Sequence, residues 1–142
     1  MKEQLQSYIY TEKFLAQLYR RAAALATSQD EKNSLLAFAN DAERNANYLN
    51  YFYKLNYGTN FDPMIPDAVI QGGYREFLNE ILKQELNSFL LYRKMTYNQS
   101  DIEFRETMRA ISDNKLGHIL TILSIIGYLN TPQPQPATRN VI

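Results

Sequence analysis

Two glutamates, one lysine and the chain's lone histidine stand at positions where helices would otherwise bury apolar side chains. Glu12 is followed seven residues later by Tyr19-Arg20, and Glu85 by Tyr92-Arg93; the same offset of 73 carries Asn45 onto His118. Carboxylates and an imidazole brought together, with water completing the shell, can hold Zn or Fe. The same groups beside an ammonium, here that of Lys115, can instead form a buried ion network that needs no metal. Which of the two is realised depends on the elements that hold them.

The offset of 73 extends to every apolar stripe. Leu35, Phe38, Ala42, Asn45, Leu49 and Phe52 fall at alternating steps of three and four; adding 73 gives Met108, Ile111, Lys115, His118, Ile122 and Ile125. Both sets describe one face of an amphipathic helix, apolar except at its middle. Leu5, Tyr8, Glu12, Leu15, Tyr19 and Ala22 map in the same way onto Leu78, Ile81, Glu85, Ser88, Tyr92 and Met95. The chain therefore reads as two copies of one helical hairpin, whose four core stripes carry polar residues at a single level. Glu12, Tyr19, Asn45, Glu85, Tyr92, Lys115 and His118 form the expected core polar cluster.

Composition limits what that cluster can be. At 142 residues the chain is long enough for one domain with a real core. It contains no cysteine, which excludes disulfides, thiolate metal sites and thiol nucleophiles. Fifteen acidic residues balance fifteen basic ones without long runs of either sign, so nucleic acid and anionic membranes are not expected partners. No apolar run approaches the ~20 residues that span a bilayer, and the opening MKEQLQSYIY lacks the apolar stretch of a signal peptide. A cytoplasmic location is expected.

Four long helices account for most of the chain. The first runs from about Lys2 to Thr27 without Gly or Pro. Ser28-Gln29-Asp30-Glu31 is a capping-box pattern that opens a second helix, and Gly58 stops it. Residues 58–73 hold Pro63, Pro66, Gly72 and Gly73 and cannot be helical throughout. A third helix covers Tyr74 to about Tyr97, Ser100-Asp101-Ile102-Glu103 repeats the capping-box pattern, and the fourth helix ends near Asn130. Residues 1–131 thus form the bundle, and the Pro-rich tail 132–142 is expected to be extended or disordered.

The connection between the second and third helices selects a topology. Its roughly 15 residues can reach about 50 Å when extended, whereas a helix of about 26 residues is about 39 Å long. It can cross the whole bundle, as one long crossover does in the ferritin-like arrangement. Over roughly residues 4 to 130 the chain resembles the ferritin-like, rubrerythrin-type diiron-carboxylate proteins. In that family the first and third helices each give one glutamate, and the second and fourth each give a Glu-x-x-His pair. Glu12 and Glu85 match the single glutamates. Ala42-Glu43-Arg44-Asn45 and Lys115-Leu116-Gly117-His118 occupy the places of the two pairs, so three of six ligands are missing.

The resemblance implies that the vanished residues include the bridging carboxylates, whose positions fall on Ala42 and Lys115. Glu43 does not replace the first, because one residue along a helix turns the side chain by about 100°, and neither Asp41 nor Asp113 falls on the core stripe. Charge points the same way. Two carboxylates can be balanced by the Lys115 ammonium and a protonated His118, with Asn45, Tyr19 and Tyr92 as further partners. A lone histidine on an apolar face is more often a hydrogen-bonded core residue than a ligand. Lys115 can also snorkel outward on its long stem, which would leave Glu12 and Glu85 to hold a cation.

Tyrosine is abundant, with eleven residues, four of them between Tyr48 and Tyr57. Tyr48, Tyr51 and Tyr53 lie off the core stripe and are interface candidates; ferritin-like proteins often pair through their first two helices, so a homodimer is expected. Three functions fit these residues. The first is a non-catalytic binding or structural protein without a metal cofactor. The second is a mononuclear iron or zinc protein using Glu85, His118 and Glu12. The third is a diiron oxidoreductase, which the missing bridges disfavour.

Overall fold

The computed structural model describes residues 1–132, and the tail beyond lies outside them. Four α-helices, and no strand among the described residues, make up the structure: α1 (Lys2–Leu25), α2 (Gln29–Tyr57), α3 (Tyr74–Asn98) and α4 (Ile102–Asn130). α1 packs on α2 and α3 on α4 as hairpins; α1 also packs on α3, and α2 on α4. α2 and α3 lie diagonally, without close backbone approach, as do α1 and α4.

Local chemistry sets the helix ends. The Ser28 hydroxyl accepts from the Glu31 amide at 3.2 Å, while the Glu31 carboxylate accepts from the Thr27 and Ser28 hydroxyls rather than reaching the Ser28 backbone. Gly58 stops α2 in the left-handed conformation at φ 81°, its N–H bonded to the Lys54 carbonyl at 2.8 Å. Before α3, Gly72 has φ 116°, and a Cβ there would lie 2.5 Å from Cγ of Glu76, so only glycine fits. The fourth helix corrects the sequence expectation by one residue. Asp101, not Ser100, is its N-cap, because the Asp101 carboxylate accepts from the Phe104 amide at 2.8 Å.

The expected stripes form the core. One apolar cluster contains Leu15, Leu18, Leu35, Ile81 and Ile122; a second contains Leu5, Ile9, Leu49, Phe104 and Met108. Each fully buried Leu or Ile contributes about 1.5–3 kcal/mol. Between the two clusters lies the level that carries Glu12, Asn45, Glu85, Lys115 and His118, all buried.

Segment 58–73 has no helix but is tied down by side chains of α1 and α2. Asn50 grips both backbone groups of Phe61, donating to its carbonyl at 2.9 Å and accepting from its N–H at 2.8 Å. Lys13 holds Asp62 at 2.7 Å, Gln17 accepts from the Ala68 N–H at 2.9 Å, and Arg21 donates to the Ala68 carbonyl at 2.7 Å. An extended chain has no internal partners for its N–H and C=O groups, and these side chains supply them. Asn50→Ala should therefore cost about 1–3 kcal/mol in urea unfolding, because it strands both backbone groups of Phe61. A loss within ~0.5 kcal/mol would mean that water replaces Asn50 without penalty.

Candidate functional site

At the polar level the Lys115 side chain is fully buried, 0% exposed, with its ammonium between two carboxylates. Nζ lies 2.6 Å from Oε1 of Glu12 and 2.8 Å from Oε1 of Glu85, and 5.4 Å from the centre of the Tyr92 ring. Snorkelling does not occur, because two buried acceptors offer the ammonium more than a path to water past apolar neighbours. Glu12 and Glu85 are buried to the same degree. The Tyr92 hydroxyl donates to Oε1 of Glu12 at 2.9 Å.

His118 bridges the interior to the edge of the bundle. Its Nδ1 lies 2.9 Å from Oε2 of Glu85, and its Nε2 lies 2.8 Å from Oδ2 of Asp41. Carboxylates only accept, so the arrangement is fully satisfied when both ring nitrogens carry hydrogen. Phe38 and Tyr19 pack on the ring at centroid distances of 4.1 and 5.7 Å. Asp41 also receives Arg44 at 2.6 Å and the Asn114 amide at 3.2 Å. A chain of hydrogen bonds and ion pairs thus runs from Glu12 through Lys115, Glu85, His118 and Asp41 to the exposed Arg44.

Environment decides each acidity. Burial pushes the Glu12 carboxyl up, and repulsion from Glu85 adds to it, so that Lys115 offsets only part of the rise. Burial acts upward on Glu85 as well, but Lys115 and His118 together outweigh it and hold this carboxyl below its ordinary value. For Asp41, partial burial is outweighed by hydrogen bonds from His118 and Asn114, and its carboxyl also falls. Burial opposes the Lys115 charge, yet Glu12 and Glu85 prevail and raise it above 10.5. Burial, with Glu12 next, lifts the Tyr92 phenol far up; Tyr19 is lifted by burial and then by Glu85.

Five of the seven residues expected in the cluster, Glu12, Glu85, Tyr92, Lys115 and His118, are joined by hydrogen bonds. Tyr19 and Asn45 are buried beside them, but the Tyr19 hydroxyl and the Asn45 amide nitrogen have no hydrogen-bond partner among the described residues. The second oxygen of Glu12 is likewise unpartnered.

Asp41 is a correction to the sequence reading, which set it aside as lying off the core stripe. It does lie off the stripe, at the flank of α2 that meets α4, and from there its carboxylate reaches His118. The signal available was Asn114, which stands 73 residues on and bonds to Asp41 directly. Tyr53 is a second correction: it is only 4% exposed and its hydroxyl accepts from Gln6 at 2.9 Å, so it cannot serve an interface. Tyr48 and Tyr51 are exposed, at 48% and 49%.

Among the described residues no group of three or more His, Cys, Asp or Glu side chains is disposed to hold a metal ion. The residues do not fit a dinuclear centre. Ala42 and Lys115 bring no carboxylate, and the lysine ammonium lies between the two glutamates that would have to converge on metal. No helix among the described residues is long and apolar enough to cross a membrane.

No protein-family model matches the chain, and no curated protein does. One solved structure similar to it is that of a hypothetical protein from Pyrococcus furiosus, 17% identical, with a TM-score of 0.76, covering 90% of this chain and 89% of that one. The likeness is one of fold.

Truncating Lys115 strands two buried carboxylates, so Lys115→Ala should destabilise by about 3–5 kcal/mol in urea or thermal unfolding. Replacing Glu12, Glu85 and Lys115 together by apolar residues of similar volume should cost much less, since no charge is then left alone. If the triple change costs as much as the single one, the ion group is not acting as a unit.

The pH dependence has a definite sign. Lys115 is raised in the folded state, so the stability it confers is complete below 10.5 and is lost as pH rises through its folded value. Asp41 is lowered, so its contribution is present above 3.8 and disappears as pH falls through its folded value. Asp41→Asn should therefore flatten the acid limb of the stability profile below 3.8 and leave the alkaline limb unchanged. An unaltered acid limb would remove Asp41 from the network.

Proposed function

We propose that the chain is a ferritin-like bundle in which a lysine-centred ion network has replaced the diiron centre, and that it acts as a non-catalytic binding or structural protein. The observation that carries this reading is the Lys115 ammonium, 2.6 Å from Glu12 and 2.8 Å from Glu85. Lysine has no lone pair to give a metal while protonated, and Glu12 and Glu85 hold it protonated. Its charge does for the two carboxylates what a metal would otherwise do.

Topology supports the ferritin-like part of the reading. Segment 58–73 bonds first to Asn50 of α2 and then, in order, to Lys13, Gln17 and Arg21 of α1, as a crossover along the bundle would. Duplication is supported by the Asp41–Asn114 bond, since residues related by one two-fold can touch only near its axis. The Tyr92-to-Glu12 bond is the counterpart of the approach of Tyr19 to Glu85 in the other half. A cytoplasmic location belongs to the same proposal.

The mononuclear alternative uses Glu85, His118 and Glu12. It would require iron or zinc to displace Lys115 and to compete for groups already bonded: both Glu85 oxygens and both His118 nitrogens are engaged. Metal content decides between the readings. Untagged protein from medium supplemented with iron and zinc should contain well under one metal per chain. One bound equivalent that is lost on His118→Ala would establish the mononuclear site instead.

Restoring the ligand set tests the ancestry of the core. Ala42→Glu, Asn45→His and Lys115→Glu together complete two Glu-x-x-His motifs facing Glu12 and Glu85. This variant should bind two Co(II) ions per chain and gain thermal stability from them. Without metal it should be less stable than the parent, because four carboxylates crowd one core. A folded triple variant that binds no metal would mean the 73-residue register is wrong.

A further inference from the structure

The bond from Asn114 to Asp41 joins two positions that the 73-residue repeat makes equivalent, yet the residues beside it differ between the two halves. In one half the flat rings of His118 and Phe38 pack at a centroid distance of 4.1 Å, and His118 reaches Asp41. The repeat carries His118 back onto Asn45 and Phe38 forward onto Ile111. Two rings are thus answered by two side chains without a ring. At those residues α2 and α4 leave a cavity of about 360 Å³, lined by Asn45, Ile111 and Asn114 together with Arg44 and Tyr48. That volume lies in the range of small-molecule sites.

Two polar atoms of these lining residues have no hydrogen-bond partner among the described residues. One is the amide nitrogen of Asn45, a residue only 3% exposed, and the other is the amide oxygen of Asn114. The carboxylate of Asp41 only accepts, so Asn114 gives it an N–H and keeps its own oxygen unpaired. A buried donor or acceptor left without a partner is costly. A molecule that answers both asparagines is therefore favoured over one that only fills the space, and it must carry one acceptor and one donor.

Charge and shape narrow its chemistry. Arg44 is the only charged side chain among the described lining residues, and Asp41 already holds it at 2.6 Å, so no free charge is offered to an ionic ligand. Ile111 and Tyr48 supply apolar and aromatic surface suited to a flat ring, and the other half of the bundle accommodates flat rings at the equivalent positions. We propose that the α2–α4 cavity binds a small neutral N-heteroaromatic molecule of the azole type, its ring N–H donating to the Asn114 oxygen and its ring acceptor receiving the Asn45 amide. The site gives a ligand class to the binding function proposed for the chain and rests on that reading. Glu12, Glu85 and Lys115 do not line the cavity, so metal content and azole binding fail or succeed separately.

Benzimidazole at neutral pH is the probe. It should bind the full chain at one site with a Kd of about 1 mM or tighter in titration calorimetry, and should shift the side-chain amide NMR signals of Asn45 and Asn114. N-methylbenzimidazole keeps an acceptor and a flat ring but lacks the N–H, and should bind about 10-fold more weakly. Asn45→Ala should weaken benzimidazole by a similar factor. Ile111→Phe, which puts the Phe38 ring at its repeat-related position, should abolish binding. The methyl comparison uses the wild-type chain, so it decides the matter even where a variant misfolds. Absence of binding at ~10 mM benzimidazole overturns the proposal. Equal affinity for the methylated ring overturns it as well, because the asparagines would then not read the ligand. Binding that survives Ile111→Phe places the ligand elsewhere and overturns it too.

Discussion

Burying one ammonium between two carboxylates constrains nearly everything else about the core. Each of these charges, taken singly, would cost several kcal/mol to remove from water, and they are tolerated because Glu12, Glu85 and Lys115 converge from three different helices within hydrogen-bonding distance. That convergence fixes the relative heights of α1, α3 and α4. A shift of one turn in any of them would leave a charge facing leucine or isoleucine from the clusters on either side. Apolar packing supplies most of the stability, but it tolerates sliding better than the ion group does.

The two halves of the network are unequal, and the inequality explains its reach. Glu85 gives one oxygen to Lys115 and the other to His118, and both hold its carboxyl down. Glu12 has Lys115 and Tyr92 on one oxygen and no hydrogen-bond partner among the described residues on the other, and burial holds its carboxyl up. The half with the histidine extends to Asp41 and so to the surface at Arg44. The half without it ends inside the protein.

A similar inequality separates the outer faces of the hairpins. On α1–α2, Lys13, Gln17 and Asn50 hold an extended segment by its backbone and by Asp62. On α3–α4 the corresponding positions are leucines. The outer surface of α1–α2 carries the chain's own connection, whereas leucines are exposed on α3 and α4.

Four helices, their ends to within two residues, the core stripes and the polar level were legible in the sequence, because each depends on neighbours three or four positions apart or on a repeat of 73. Glu12, Glu85, Lys115 and His118 were legible as a group for the same reason: polar residues on an apolar stripe must share a level if they are to be paired. What periodicity could not supply is the reach of a side chain across an interhelical groove. Asp41 lies outside the stripe and joins the site only because α2 meets α4 at the one place where His118 can extend its second nitrogen. Tyr53 reads as a surface residue in its helix, and only the packing of α1 against α2, with Gln6 opposite, buries it. Sequence spacing determined which residues share a face; tertiary structure decided which flanking residues meet across helices, since that depends on crossing geometry no single helix encodes.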